Sequence, residues 1–286
     1  MDIYMRLPKG RAKVFTLSFD DGVYQDSRLI ELMKKYGIKG TFNLNAAGLL
    51  KDSYKGKKDY SGRMNKEEAV KLFKDSGQEI ALHGYYHDQL HGIPTCVELS
   101  EALKERELLE ELFGTVVRGM AYPYGGYTKA TIKALKAAGI VYSRIVDETQ
   151  HFNIPINGGD EWYELAPTCH FSSDNILKYA RDFIEAKPFV FPELFYVWGH
   201  SYEFDRNNGY DKMESLLKAV SGYDDIWYAT NIEVYDYFKA YSRLQFTSKG
   251  NAVHNPNASS IWLSRCEQTY EIKPGETVVF ERSCEI

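Results

Sequence analysis

Val14-Phe15-Thr16-Leu17-Ser18-Phe19-Asp20-Asp21-Gly22 is a β-rich run that ends in two adjacent carboxylates and a glycine. Val14–Phe19 predicts a short strand, and Gly22 permits the tight turn that must come after it. At a strand end, neighbouring side chains point apart or splay in the turn, so one carboxylate can hold a cation while the other stays free as a base. Taken alone, Asp-Asp-Gly is ordinary turn chemistry. Its weight comes from the company it keeps further along the chain.

A helical pattern at Asp26–Tyr36, closed by Gly37, comes next, then a strand at Ile38–Leu44. Asn65-x-x-Glu68 predicts a capping box opening the helix Lys66–Asp75. The rhythm continues with a strand at Gln78–Leu82, a long helix from Thr95-x-x-Glu98 to near Gly114, and a strand at Val116–Tyr122. A helix capped by Thr128 and ended by Gly139 precedes the strand Ile140–Val146. A weaker strand at Tyr163–Thr168, a helix from Ser173 and a strand at Leu194–Trp198 come after it. Helix Asp211–Val220, strand Ile226–Ala229 and a helix from Asn231 to about Tyr241 complete the series. Such alternation implies parallel strands joined by crossover helices, and this many units in one stretch favours a barrel, complete or distorted, over an open sheet.

Residues 242–286 change character. Gln245–Thr247, Ser260–Leu263, Tyr270–Ile272 and Thr277–Phe280 read as short strands around Asn255-Pro256-Asn257 and Lys273-Pro274-Gly275. The expected division is therefore 1–241 for the barrel and 242–286 for a small β-rich extension packed on it, since so short a piece buries little core by itself.

The polar residues able to do chemistry fall at predicted strand ends: Asp20-Asp21, His83, Tyr122-Pro123-Tyr124, Cys169-His170 and His200. In a parallel barrel these ends share the face where barrel enzymes keep their active sites. His83 and His87, four apart, would face one side of a helical turn and offer two nitrogens to a zinc-like ion, with one Asp21 oxygen as third ligand and room left for water and substrate. A pair of surface histidines has the same spacing. His91 continues it and is read as solvent-facing. His200, in Val-Trp-Gly-His-Ser, suits a general acid because its pKa lies near working pH, although a satisfied core histidine is as good a reading of that residue alone. A Cys169–His170 dyad is disfavoured because adjacent strand side chains diverge.

The apolar fraction is 44% and the charged fraction 26%, as in soluble globular proteins. A net charge of −5 disfavours nucleic acid as a partner, although Lys51–Lys58 forms a local basic run. Neither a signal-like apolar segment nor an 18-residue apolar run is found, so no membrane span and a cytoplasmic location are expected. The four cysteines, Cys96, Cys169, Cys266 and Cys284, are scattered and read as free thiols in a reducing compartment.

Four segments together resemble the polysaccharide deacetylase family, also called the NodB-homology or carbohydrate esterase 4 family, over roughly residues 14 to 235. Thr16-Leu-Ser-Phe-Asp-Asp-Gly22 is similar to T-F-D-D-G, His83-x-x-x-His87 to H-[ST]-x-x-H, Ala121-Tyr-Pro-Tyr124 to R-x-P-[YF], and Trp198-Gly-His200 to L-x-H. The resemblance implies a distorted (β/α) barrel of about seven parallel strands. It implies Asp20 as general base, Asp21, His83 and His87 as ligands of one divalent ion, His200 as general acid, and the Tyr124 backbone N–H as an oxyanion donor, with Pro123 and Trp198 beside the substrate. Zinc is the first expectation for the ion, with cobalt, manganese or iron as alternatives. The implied reaction removes an N-acetyl or O-acetyl group from an amino-sugar-containing saccharide.

The chain departs from that pattern in three places. Ala121 stands where the family has an Arg that holds the catalytic Asp. The family's fourth motif, D-x-x-D-W, has no counterpart in Ile140–Val146. Gly84 follows His83 where Ser or Thr is usual. Arg144 could supply the missing guanidinium, and a structural ion pair would account for it equally well. These departures keep two other readings open: hydrolysis of another non-peptide C–N bond, such as a cyclic amide or formamide, on the same site, or a non-catalytic carbohydrate-binding protein. A homo-oligomer is compatible with the sequence. The aromatic residues Tyr85, Tyr86, Tyr124, Tyr127, Trp198 and Tyr202 lie near the motifs and could stack on a sugar, and Glu161-Trp162 could shape the cleft.

Overall fold

The computed structural model describes residues 3–51, 62–155, 158–206 and 208–280. Strand β1 (Ile3–Arg6) precedes β2 (Lys13–Asp20), α1 (Asp26–Lys35), β3 (Thr41–Leu44), α2 (Ala46–Leu49), α3 (Lys66–Phe73) and β4 (Glu79–Leu82). Then come α4 (Thr95–Phe113), β5 (Gly119–Ala121), α5 (Lys129–Ala137), β6 (Tyr142–Arg144), β7 (Cys169–His170), α6 (Ile176–Glu185) and β8 (Glu193–Gly199). The chain continues with α7 (Gly209–Val220), β9 (Ile226–Tyr228), α8 (Asn231–Ser242), β10 (Gln245–Phe246), β11 (Ala252–His254), β12 (Ile261–Arg265), β13 (Gln268–Ile272) and β14 (Thr277–Val279).

Seven parallel strands run in the order β6-β5-β4-β3-β2-β8-β7 among the described residues, and β9 adds to β2. Strand β2 is the hub. One edge carries β8 along Lys13–Phe19, while the other carries β9 at Lys13–Phe15 and β3 at Ser18–Asp20. The sheet curls into a distorted (β/α) barrel. Leu165 pairs with Arg144 of β6, and five residues on His170 pairs with Trp198 of β8, so this short stretch draws the two outer strands toward each other.

The alternation of β2 explains both its burial and its placement. Phe15, Leu17 and Phe19 enter the main hydrophobic core with α1 and the other helices. The alternate residues Thr16, Ser18 and Asp20 are polar and buried, and each is paired: Thr16 Oγ1 donates to Asn231 Oδ1 (3.0 Å), and Asn43 Nδ2 donates to both Ser18 Oγ and Asp20 Oδ1 (2.8 Å each). Capping boxes at Asn65/Glu68, Thr128/Thr131 and Thr230/Glu233 start α3, α5 and α8. Thr95-x-x-Glu98 forms no such box: Pro94 precedes α4, and buried Glu98 accepts from the Thr131 hydroxyl instead (2.6 Å).

A second core lies at the other end of β2. Met5, Leu7, Val14 and Leu194 meet Tyr237 and Phe238 of α8 and Val253, Ile261, Leu263 and Ile272 of the C-terminal strands. Trp162 is buried there against Tyr235 and Phe238, not at the cleft. Strand β1 is antiparallel to β12, which pairs β13, so residues near both ends of the described chain share one sheet; β10, β11 and β14 form another.

Three expectations are corrected. The weak strand placed at Tyr163–Thr168 lies later, at Cys169–His170, because Gly159–Glu164 is a 3₁₀ turn that buries Trp162 and Tyr163. The final helix is capped by Thr230, not Asn231. Cys96 and Cys169 are free thiols, whereas Cys266 is disulfide-bonded, so the free-thiol reading does not extend to it. Cys284 and most of the Lys51–Lys58 run lie outside the described residues. No helix among the described residues is long and apolar enough to cross a membrane.

Candidate active site

Asp20 is the last residue of β2. Asp21 follows in a positive-φ conformation (87°), with its N–H on Asn43 O (2.9 Å). His83 follows β4, Ala121 ends β5, Arg144 ends β6, His170 ends β7 and His200 follows β8. Every sequence-predicted site position thus lies at the C-terminal ends of the parallel strands.

His83 and His87 meet through a tight turn, not the helical turn expected from their spacing. Gly84 (φ 77°) and His87 (φ 63°) are left-handed, and the His87 N–H donates to Gly84 O (3.0 Å). A Cβ at Gly84 would lie 2.7 Å from Pro123 Cγ, which explains the absence of Ser or Thr there. The two rings are 4.8 Å apart, and their Nε2 atoms lie 3.9 Å (His83) and 3.6 Å (His87) from Asp21 Oδ1.

Backing groups fix what these rings offer. His83 Nδ1 is 2.9 Å from Ala121 O, and a carbonyl can only accept, so Nδ1 carries a hydrogen and the neutral tautomer with that bond has its lone pair on Nε2, toward Asp21. Burial, then His83, pushes His87 down to about 4, so that ring is neutral near pH 7. Asp21 Oδ1 is buried with no hydrogen-bond partner, although Arg63 Nη1 stands 3.2 Å away. Lone pairs converging on a carboxylate oxygen repel unless a cation lies among them, so the donor set fits a divalent ion. Asp21, His83 and His87 are also a group whose ligand atoms lie within 4.8 Å of one another.

Asp20 is 2% exposed and held on both oxygens: Oδ1 accepts from Asn43, and Oδ2 accepts from Arg144 Nη2 (2.5 Å). Burial alone would raise its pKa. The Arg144 guanidinium, His83, His200 and the Asn43 hydrogen bond together outweigh that and hold the carboxyl at about 2. Arg144 is itself 1% exposed and lies over the Trp198 ring, 4.3 Å from its centroid. A guanidinium therefore sits on Asp20 although Ala121 cannot supply one.

His200 faces Asp20 from the opposite side, Nε2 to Oδ2 3.9 Å, while its Nδ1 lies 3.2 Å from Glu203 Oε1. Burial would lower its pKa, but Glu203, Asp20 and Asp21 together raise it, favouring imidazolium. Tyr124 is exposed at the mouth, its ring 4.7 Å from His87 and its backbone left-handed (φ 56°); Pro123 beneath it is buried. Tyr86 is also exposed there, whereas Tyr85 is buried and Tyr127 stacks on Tyr122. His91 is exposed, as expected.

Several supporting residues escaped sequence reasoning. Arg63 donates to Asp21 O (2.5 Å) and Asn45 Nδ2 donates to His83 O (2.7 Å). Buried Glu105 of α4 accepts from the His83 N–H (3.3 Å), and burial pushes its carboxyl up to about 8. Asp26, fully buried, accepts from Ser201 Oγ (2.6 Å) and the Val23 N–H (3.0 Å). None lies in a short motif; polar residues at apolar positions of α1 and α4 were the only signal.

The polysaccharide deacetylase family profile matches residues 8–143. A Bacillus subtilis protein named "Putative polysaccharide deacetylase YxkH" is 28% identical over 46% of this chain and 44% of its own length. A Helicobacter pylori peptidoglycan deacetylase is 24% identical over 48% of this chain and 42% of its own. The chain thus aligns with less than half the length of these curated relatives. Among solved structures, a Mycobacterium smegmatis protein titled a "putative polysaccharide deacetylase" superposes with a TM-score of 0.57 at 16% identity, covering 84% of this chain and 94% of that one. That likeness concerns the fold alone. The family profile lies across the strands that carry Asp20, Asp21, His83 and His87, so this part of the chain is similar to the polysaccharide deacetylase family.

Proposed function

We propose that the chain is a metal-dependent deacetylase that hydrolyses an N-acetyl, or O-acetyl, group on an amino-sugar-containing saccharide. The observation that carries this reading is the convergence of His83 Nε2 and His87 Nε2 on Asp21 Oδ1, a buried oxygen with no hydrogen bond, beside a buried, guanidinium-paired Asp20.

Asp21, His83 and His87 would hold one divalent ion, zinc first, which when bound lowers the pKa of water toward ~7 and polarises the acyl carbonyl. Asp20, ionised at any working pH, accepts the proton that water loses as its oxygen adds to the carbonyl carbon. Arg144 and Asn43 keep that carboxylate aimed into the site. The Tyr124 N–H would donate to the developing oxyanion, a contact typically worth ~3 kcal/mol. The C–N bond then breaks as His200 Nε2 gives its proton to the leaving nitrogen, yielding acetate and the free amine. Exposed Tyr86 and Tyr124 provide aromatic faces for a sugar at the mouth.

The test is elemental analysis of wild type and His83→Ala, together with acetate release from N-acetylated chito-oligosaccharides. Near-stoichiometric metal lost in the variant, with acetate released by wild type, is expected. Metal without acetate would move the substrate toward cyclic amides or formamides. Absence of metal after reconstitution with zinc, cobalt, manganese or iron would overturn the hydrolase reading.

A further inference from the structure

Behind His200 lies a second group of ionisable side chains that the reaction above leaves unused: His170 at the end of β7, and Glu203 in the 3₁₀ turn Ser201–Asp205. Parallel pairing sets Cys169 opposite Val197 and His170 opposite Trp198, which brings the His170 ring to 6.4 Å from the His200 ring. The Glu203 N–H donates to His200 O (3.1 Å), and this turn folds the Glu203 carboxylate back between the imidazoles. Oε1 lies 3.2 Å from His200 Nδ1 and Oε2 lies 3.3 Å from His170 Nε2.

We infer that Glu203, anchored by His170, is a positioning residue that fixes the His200 tautomer and keeps its Nε2 proton aimed at the reacting nitrogen. This rests on the reading of His200 as the acid.

Hydrogen bonding assigns each proton. The Ser172 N–H points at His170 Nδ1 (3.3 Å), with Ser172 Oγ 2.7 Å away. An amide N–H can only donate, so Nδ1 holds the lone pair and Nε2 holds the hydrogen that goes to Glu203. His170 is a neutral donor: burial pushes it down to about 4 despite Glu203. The carboxylate's other oxygen is left for His200 Nδ1–H, which turns Nε2 toward Asp20. The same three residues lie close enough to suggest a second cation site. The Ser172 amide argues against it, because a ligating His170 Nε2 would have to shed the proton that the amide forces onto that nitrogen. The groups facing His200 are Asp20 and Asp21 at the end of β2, Glu203 on its own turn and His170 on β7, with the Trp198 and Tyr202 rings 5.9 and 5.1 Å away. Glu203 is the carboxylate among them that lies within hydrogen-bond distance of Nδ1.

The experiment compares wild type, Glu203→Gln, Glu203→Asp and His170→Gln. Glu203→Gln by itself could act by misfolding; Glu203→Asp and the ring spectra separate that case. In Glu203→Gln, kcat should fall by roughly tenfold or more with KM within about twofold, and the alkaline limb of the kcat profile should move to lower pH. Glu203→Asp should recover part of the loss, and His170→Gln should show a smaller loss of the same kind. Independently of turnover, ¹H–¹⁵N spectra of the wild-type His200 ring should show both nitrogens protonated at low pH and the Nδ1–H tautomer once the Nε2 proton is lost, with a lower titration midpoint in Glu203→Gln. An unchanged tautomer and midpoint would overturn the inference even in an active deacetylase. An inactive wild type whose His200 ring shows that tautomer and that shift would overturn only the reaction assigned above. Stoichiometric zinc uptake by His83→Ala that disappears in His83→Ala/His170→Gln would overturn it in favour of a cation site.

Discussion

His83 and His200 face the same small volume around Asp20 but are backed by different groups. Behind His83 Nδ1 stands a backbone carbonyl, Ala121 O; behind His200 Nδ1 stands a carboxylate, Glu203. A carbonyl dipole orients a neutral ring and leaves its far nitrogen as a lone pair, the form a metal needs. A carboxylate favours imidazolium and leaves the far nitrogen with a proton to give. On the proposed reading, one residue type takes two roles through the atom on its hidden side. Asp20 lies between the walls and is shared by both.

The most severe break of that comparison removes the shared acceptor. Asp20→Asn should lower turnover by roughly a hundredfold to ten-thousandfold, the usual span for losing a general base. Metal content by elemental analysis should stay near that of wild type, since Asp20 is not among the proposed ligands. Retained turnover would show that neither wall works through Asp20.

Next in size is Arg144. Losing one charge-assisted hydrogen bond is worth about 1.5–3 kcal/mol, or roughly a tenfold to hundredfold effect. Arg144→Ala should therefore lower kcat/KM by that order, and Arg144→Lys should do so less. The depressed Asp20 pKa should rise without the guanidinium, so the acid limb of the pH profile should move to higher pH. A limb that stays in place would make Arg144 a packing residue only.

The smallest effect concerns the tie between the walls. Asp26 joins the turn after β2 to Ser201 after β8, and burial foremost, with Asp21 and Asp20 adding to it, pushes its carboxyl up to about 7 from 3.8. The folded protein holds this proton over a range where the unfolded chain has lost it. The associated stability is present in full below about pH 4 and fades as pH rises through about 7. Asp26→Asn should flatten the decline in urea-unfolding free energy across that window, by at most about 1.4 kcal/mol per pH unit for one proton. Parallel slopes in the two proteins would show that Asp26 is already ionised.

The groups of the proposed metal wall could be nominated because they are local in sequence. Asp20 and Asp21 are consecutive, and His83 and His87 are four apart, so pattern and resemblance both found them. The alternation of β2 likewise separated Phe15, Leu17 and Phe19 from the polar face. The acid wall assembles through tertiary pairing: His170 and Glu203 meet only because β7 lies beside β8, and Glu203 follows His200 by three residues within a turn that no motif marks. Arg144 could be nominated because a guanidinium was missing elsewhere, but only the register of β6 against β5 places it at Asp20. Tyr163 misled the strand assignment because its apolar character serves burial, as does that of Trp162. Glu105 and Asp26 lie in no motif, and only the tertiary structure shows what they hold.

Strand β1 and its partner β12 are made at opposite times. Ile3–Arg6 can pair only when Ile261–Arg265 exists, so this contact spans almost the whole described chain. During synthesis the first strand waits as an unsatisfied edge while the rest of the barrel is produced, and such edges invite pairing with other chains. Contacts of this sequence separation also close slowly. Sealing the end of the barrel opposite Asp20 is therefore a late event in the molecule's history, and the interval before it is when the chain is most exposed to aggregation.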